Sequence, residues 1–353
     1  MTNRSLEGHK RYNNFGTYLK NIFGEKVFKV CLDVGFTCPN RDGTKARGGC
    51  IYCNNDSFKP ETTSSRKTLM DQLNDGMDYQ RTRYDAHKFI AYFQAFSNTY
   101  DKVENLEPLY REALSHPDIV GLSIGTRPDC VDDDILDLLE ELAQETLLWV
   151  EYGLQSMHDK TLDYINRGHG LRDFHETFLK TRKRKGINIC AHAIHGLPFE
   201  TKDMMLDTIK YLSDMGVDGI KIHQLHVVKN TLMKKMYERG DFTLPSLEEY
   251  LELLAESLEI LGEEVVIQRL FGLGPKEILI APSWDLGKGQ FNTLIDRYLN
   301  KVDSYQGKKH QYFGMIERAE QLIGSRNPLG SEVQISLKGE QNPYRFTELL
   351  PTV

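Results

Sequence analysis

Three things are scarce in this sequence, and each scarcity excludes something. No run of about eighteen apolar residues occurs, so no transmembrane helix is expected. The opening MTNRSLEGHKRYNNFG lacks the apolar stretch of a secretory signal. A cytoplasmic chain without a membrane partner is the resulting expectation. Positive charge is also short: 44 Lys and Arg against 51 Asp and Glu leave a net charge of −7. With a pI near 5.9, a protein that holds nucleic acid through its overall field is excluded, and only local basic patches remain. Cysteine is the third scarcity, with six in 353 residues. In a cytoplasmic setting thiols stay reduced, so clustered cysteines point to metal or catalysis before disulfides.

Half of those cysteines crowd into one stretch, FTCPNRDGTKARGGCIYC, with Cys38, Cys50 and Cys53 inside sixteen residues. Structural zinc takes four protein ligands, which would need a fourth from Cys31, Cys130, Cys190 or a histidine such as His87. Plain buried thiols fit poorly among Gly, Pro, Asn and charged neighbours. A [4Fe–4S] cluster is usually held by four thiolates; held by three, it keeps one iron open for substrate or cofactor.

Apolar, strand-like runs at 26–34, 88–95, 118–126, 147–155, 187–196 and 219–227 alternate with helical patterns at 67–83, 104–115, 132–145, 171–185, 202–215 and 246–261. Asp132 or Asp133 suits the cap of the third helix, and Ser246 with Glu249 fits a capping box. Six strand–helix units in series predict a parallel α/β fold. Successive strand residues point to opposite faces. Val120, Leu122 and Ile124 therefore share one face, and Gly121, Ser123 and Gly125 the other. Glu151 and Gln155 share a face with Gly153 between them, and Lys221 and His223 alternate with Ile220 and Ile222. A packed barrel fills its interior with branched side chains, and a sheet covered on both faces is apolar throughout. The small and polar faces here predict a ligand-filled lumen, hence a partial (β/α)6 TIM-like barrel; an open sheet with a polar edge is the alternative. One further strand is expected at 264–268. The expected division is an N-terminal segment 1–25, a core 26–262, and a small C-terminal extension 263–353 that completes or caps the barrel.

The C-x11-C-x2-C pattern resembles a widened form of the C-x3-C-x2-C motif of radical S-adenosylmethionine (SAM) enzymes. Tyr52, before the last cysteine, fits the same habit. YFQAFSNTY, GLSIGTRPDC, VEYGLQSMHDKTLDYINRGH, IHGLPFET and GIKIHQLHVVKNT follow in matching order. Over roughly residues 10–290 the chain looks like the YhcC/YtqA type of bacterial radical SAM protein, relatives of the Elongator catalytic subunit. The resemblance implies a [4Fe–4S] cluster on Cys38, Cys50 and Cys53. It also implies SAM chelated to the open iron and cleaved to a 5′-deoxyadenosyl radical, and an electron donor such as flavodoxin or ferredoxin. In many relatives a Gly-Gly-Glu segment after strand two binds the SAM amino group; here Gln94-Ala95-Phe96 stands in its place. By resemblance Gln94 lies near the methionine moiety, the alternative being a strand cap. Glu151 and Gln155 contact SAM or substrate, and Glu151 needs a donor if it is buried. Arg127 or Arg167 pairs with a carboxylate of SAM or substrate, the alternative being a surface salt bridge. Ser123, small and lumen-facing, makes room.

His192, His195, His223 and His226 lie on or just beyond the last two strands of the core, where parallel folds carry chemistry. They invite substrate contact, and their spacing matches no recognised metal motif. Cys31, Cys130 and Cys190 are expected to be small buried hydrophobes. By resemblance the substrate is the side chain of a tRNA wobble uridine, with a small molecule or peptide as the alternative. KTRKRKG (180–186), KNTLMKK (229–235), Lys308, Lys309 and Arg11 are the candidate phosphate contacts.

Overall fold

The computed structural model describes residues 10–54 and 66–310. The C-terminal tail from 311 and the first nine residues lie outside the described residues. Along the chain run α1 (Phe15–Phe23), β1 (Val27–Leu32), α2 (Leu69–Tyr84), β2 (Lys88–Phe93), α3 (Val103–Leu114), β3 (Ile119–Thr126) and α4 (Asp133–Glu145). Then come β4 (Leu147–Gln155), α5 (Asp159–Tyr164), α6 (Leu171–Arg182), β5 (Ile187–His195), α7 (Lys202–Asp214) and β6 (Gly219–Gln224). The described part closes with β7 (Val227–Val228), α8 (Leu232–Glu238), α9 (Leu247–Ile260), β8 (Val266–Arg269), β9 (Leu279–Ala281) and α10 (Lys288–Lys301).

Seven strands form one sheet in the order β1-β2-β3-β4-β5-β6-β8, every neighbour parallel. The expected sixfold barrel is thus a seven-stranded, curled half-barrel, because the strand expected at 264–268 joins the sheet beside β6. The alternation of faces is as the sequence suggests. Leu122, Ile124, Leu148, Val150, Tyr152, Ile189, Ile220 and Ile222 pack in the main core. Between them Ser123, Glu151 and Lys221 meet in the lumen. Local chemistry sets the helix starts. Asp132 accepts from the Ile135 amide, and Ser246 and Glu249 form the reciprocal capping box.

One predicted boundary shifts for an identifiable reason, and one helix is added. The strand expected to reach 227 stops at Gln224. That side chain donates to the Gly272 carbonyl (2.9 Å) and accepts from the Gly272 amide (3.1 Å). The chain leaves the sheet there, and β7 pairs antiparallel with β9 instead. The N-terminal segment contributes α1, which closes the lower end of the sheet. Phe15 and Tyr18 stand edge-on to Trp149 at 5.7 and 5.8 Å. Asn13 donates its amide to Gln306, whose own amide group donates to the Gly262 and Val265 carbonyls.

Candidate cofactor and substrate pocket

The cysteine segment lies at the C-terminal ends of the strands, the end where parallel α/β folds place their chemistry. Gly48 and Gly49, both left-handed (φ +85° and +81°), turn the chain back toward Cys50. The returning loop is pinned from the far side of the barrel mouth. Asn40 donates to the carbonyls of Asn166 and Arg167 (2.7 Å each), Asn166 donates to the Gly49 carbonyl, and the Ile51 amide donates to the Ile165 carbonyl.

Cys38, Cys50 and Cys53 line one cavity of about 180 Å³. Each sulfur faces an arginine. Arg127 lies 3.9 Å from the Cys38 Sγ, Arg167 3.6 Å from Cys50 and Arg41 4.0 Å from Cys53. Asn40 adds a second contact to Cys50 at 3.8 Å. Burial pushes the Cys53 thiol up to about 12, so its thiolate form depends on a bound partner for stability. Among the described residues, no group of three or more His, Cys, Asp or Glu side chains is placed to hold a single metal ion. A cluster of several irons spaces its thiolates more widely, and a donor set of three sulfurs ringed by N–H groups fits such a cluster. Of the other cysteines, Cys130 and Cys190 are buried and Cys31 is half-buried.

Gln94, Arg127, Glu151, Gln155 and Arg167 all line this cavity. The alternative of surface salt bridges for the two arginines does not hold, since Arg127 is 2% and Arg167 7% exposed. Arg127 grips Asp129 with both arms of its fork (2.8 Å each) and donates to the Arg167 carbonyl. Against the penalty of burial, Arg127 and Lys45 hold the Asp129 carboxyl down at about 2. Arg167 donates to the Gly153 carbonyl (2.7 Å). A Cβ at position 153 would lie 2.6 Å from that guanidinium and 2.7 Å from the Gln155 amide, so only glycine admits both. Gln155 is left-handed (φ 77°) where β4 slips register against β5, and its Oε1 is buried with no partner. The Gln94-Ala95-Phe96 turn carries left-handed φ at Ala95 (71°) and Phe96 (64°), which non-glycine residues rarely adopt. Asn98 clamps the turn by donating to the carbonyls of Ala95 and Gly125.

Glu151 occupies the floor of the lumen, fully buried, and the donor it requires is several donors. Oε1 accepts from Lys29 and Ser123, each at 2.5 Å. Oε2 accepts from Tyr92 (2.8 Å), contacts His192 (2.9 Å) and pairs with Lys221. Ser123 therefore does more than make room. Burial alone would raise the Glu151 carboxyl, but Lys221 and Lys29 hold it well below the usual range. Lys221 feels burial more than its one carboxylate and is held down to about 7; burial likewise holds His192 near 4. Sequence reasoning missed Lys29, Tyr92, Gln268 and Arg269 as lumen groups. The signal available was a lysine alternating with apolar residues in KVFKVCLDV.

The histidines divide. His192 and His223 line the cavity, whereas His195 bonds Ser257 (3.0 Å) beneath α9 and is held near 3 by burial. The basic segments divide too. Arg182 turns one nitrogen, Nη1, to both oxygens of Asp218 (3.0 and 2.9 Å), Arg184 pairs with Asp137, and Lys180 with Asp133. This run precedes β5, at the end of the barrel away from the cysteines. Lys309 pairs with Glu259 and Arg11 with Asp303. Three of the five cations in the run 180–186 are thus paired within the chain, while Lys183 and Lys185 are exposed. Arg41, Arg47, Lys229 and Lys235 are exposed. They belong to the cysteine loop or to the segment whose Lys229 carbonyl accepts from Asn54 and whose Met233 amide donates to Ile51. No described helix is long and apolar enough to cross a membrane.

Comparison with known proteins agrees with this geometry. Residues 38–212 match the Radical SAM superfamily and residues 217–301 the Radical SAM C-terminal domain. The Bacillus subtilis protein YtqA is 44% identical over 313 residues, 89% of this chain and 96% of its own length. Escherichia coli YhcC is 41% identical over 297 residues, 84% and 94% of the two chains. A more distant relative, the tRNA uridine(34) acetyltransferase of Methanocaldococcus infernus, is 28% identical over 188 residues, 52% of this chain and 33% of that one. The solved structure of Methanocaldococcus infernus Elp3 superposes with a TM-score of 0.59 at 18% identity, covering 79% of this chain and 64% of that one. Its likeness concerns the fold. The match to the superfamily begins at Cys38, the first of the three pocket sulfurs, and with relatives this similar along most of its length the chain belongs to the radical SAM superfamily of enzymes.

Proposed function

We propose that Cys38, Cys50 and Cys53 hold a [4Fe–4S] cluster and that the adjoining pocket binds SAM. The observation that carries this reading is the ring of donors, one guanidinium facing each sulfur. When bound, the cluster supplies the electron that cleaves SAM to methionine and a 5′-deoxyadenosyl radical, which takes a hydrogen atom from a substrate C–H bond. The chain itself binds and orients. Gln155 presents an unused buried acceptor toward the pocket, suited to a hydroxyl or amino donor. The left-handed Ala95–Phe96 turn carries the Gln94 side chain to the cavity wall. Arg127 and Arg167, already tethered, keep the sulfurs' surroundings positive. Below, α1 and Trp149 close the lumen against water, which protects a radical from side reactions.

The substrate in this reading is a nucleoside of tRNA, the side chain of a wobble uridine, and the electron arrives from a flavodoxin- or ferredoxin-like donor. Support comes from the name of the distant acetyltransferase relative and from the exposed cations Arg41, Arg47, Lys229 and Lys235 on the segments around the pocket mouth. Mass spectrometry of tRNA nucleosides from cells lacking the protein tests it: a uridine-34 side-chain precursor should accumulate. An unchanged wobble profile, together with no tRNA binding above the non-specific level, would turn the assignment to a small-molecule or peptide substrate.

A further inference from the structure

One wall of the lumen is unbalanced. Among the charged residues lining the cavity, Arg41, Arg127, Arg167 and Arg269 face a single carboxylate, Glu151. The first three are committed: Arg41 and Arg167 to sulfurs, Arg127 to Asp129. Glu151 is saturated by Lys29, Lys221, Ser123, Tyr92 and His192. Arg269 is different. It stands half-buried at the end of β8 with its backbone in the ladder opposite Lys221, and its guanidinium makes no hydrogen bond or ion pair with any described residue.

Its neighbour deepens the imbalance. The β6–β8 pairing jumps from Ile220↔Ile267 to Lys221↔Arg269, so Gln268 is left out of the ladder. Such a bulge re-aims side chains. Here Gln268 turns inward, where its Oε1 accepts from Lys29 (2.8 Å) and its Nε2 is buried with no acceptor. The buried Gln268 amide thus lacks an acceptor, and the half-buried Arg269 guanidinium lacks one within the protein. His192 and His223 line the same cavity, and an imidazole, neutral or protonated, supplies no anion. A buried donor without an acceptor is costly, and a guanidinium fork matches the two oxygens of a carboxylate.

We propose that Arg269, which lines the cavity, binds a carboxylate that the substrate carries into the lumen. The proposal rests on the radical SAM reading only in calling that ligand the substrate. SAM has a carboxylate of its own, so the test must tell the two sources apart. Gln94 and Gln155, the groups assigned to SAM, stand on or beyond β2 and β4, whereas Arg269 is carried by β8, the far edge of the sheet past β6.

The experiment uses anaerobically reconstituted full-length protein at constant ionic strength. Acetate, and separately inorganic phosphate, is titrated by calorimetry with and without saturating SAM, for the parent, Arg269→Gln and Arg269→Lys. Acetate should bind equally well with SAM present. Arg269→Gln should weaken acetate by about tenfold or more, as expected for lost charge-assisted hydrogen bonds. Arg269→Lys, which keeps the charge if the Gln variant fails to fold, should retain part of the affinity. SAM affinity should stay within about twofold throughout. If SAM displaces acetate and Arg269→Gln loses SAM, the guanidinium belongs to the cofactor and the proposal is overturned. Equal acetate affinity in all three proteins overturns it as well, and so does phosphate binding tenfold more tightly than acetate. A chain that takes up neither iron nor SAM defeats the cofactor reading instead, and the acetate comparison on that chain still decides the fate of Arg269.

Discussion

Glu151→Gln isolates the charge at the centre of the lumen. The substitution keeps the shape and removes the one carboxylate that Lys29 and Lys221 share. In melts run below pH 7 Lys221 carries its proton, and at 2% exposure its ammonium cannot turn to water. Removing one partner of a buried pair typically costs ~3–5 kcal/mol, because the other charge is left uncompensated. At ~2.1 cal/mol/K per residue, a chain of 353 residues has an unfolding entropy near 0.74 kcal/mol/K, so the melting temperature should fall by about 4–7 °C. Adding Lys221→Met to Glu151→Gln should recover much of the loss, since a matched neutral pair is close in stability to a matched charged one. Circular dichroism melts of the parent, both single variants and the double variant complete the cycle. A Glu151→Gln melt within 1 °C of the parent, or strictly additive losses in the double variant, would refute the reading of this group as a buried charge pair.

Lys221 should also leave a signature in pH. Its folded pKa is about 7 against 10.5 unfolded, so between those values the unfolded chain binds the extra proton and stability rises with pH. The slope is about 1.4 kcal/mol per unit, and subtracting the Lys221→Met profile in urea melts should isolate it; identical slopes would contradict it. Alanine at Cys38, Cys50 or Cys53 should abolish iron and sulfide uptake on anaerobic reconstitution, while alanine at the buried Cys130 should not. Retention of full iron by any of the three would displace that residue from the ligand set. Arg167→Met should leave the iron content intact and lower the cluster's reduction potential, read by a redox titration, because it removes a donor from Cys50. For RNA, neutralising Arg47, Lys229 and Lys235 should weaken tRNA binding and reduce the salt slope by roughly 0.7–0.9 per lost phosphate contact. Neutralising Arg182 and Arg184 should lower stability and leave that slope unchanged.

What could be read along the chain was what repeats or caps locally. The alternation in GLSIG and WVEYGLQ placed Ser123, Glu151 and Gln155 on the inner face, and the Ser246–Glu249 box marked where α9 begins. The spacing of Cys38, Cys50 and Cys53 brought the pocket into view before any fold. What escaped depends on distance along the chain. Lys29 lies 122 residues from the carboxylate it pairs with, and Lys221 lies 70; no window of a few residues links them. The run KTRKRKG looked free for the same reason, because its partners Asp133, Asp137 and Asp218 come from α4 and the turn before β6. The helix α1 was missed because its nine residues, three of them aromatic, make only a short stretch whose counterpart Trp149 lies far along the chain.

The lumen network also has an order in time. Its members leave the ribosome as Lys29, Tyr92, Ser123, Glu151, His192, Lys221 and Gln268, and their strands lie side by side in the sheet in that same order. Until Lys221 has emerged, Glu151 has only half of its cationic company. Until β8 docks, Lys29 lacks the Gln268 oxygen that reaches it from the opposite edge of the sheet. A nascent chain halted after β5 would therefore carry a carboxylate it cannot comfortably bury, and its inner face would stay wet and open. Closure of the well waits for the last strand, so a truncated product is left without a sealed chamber in which a radical could be made.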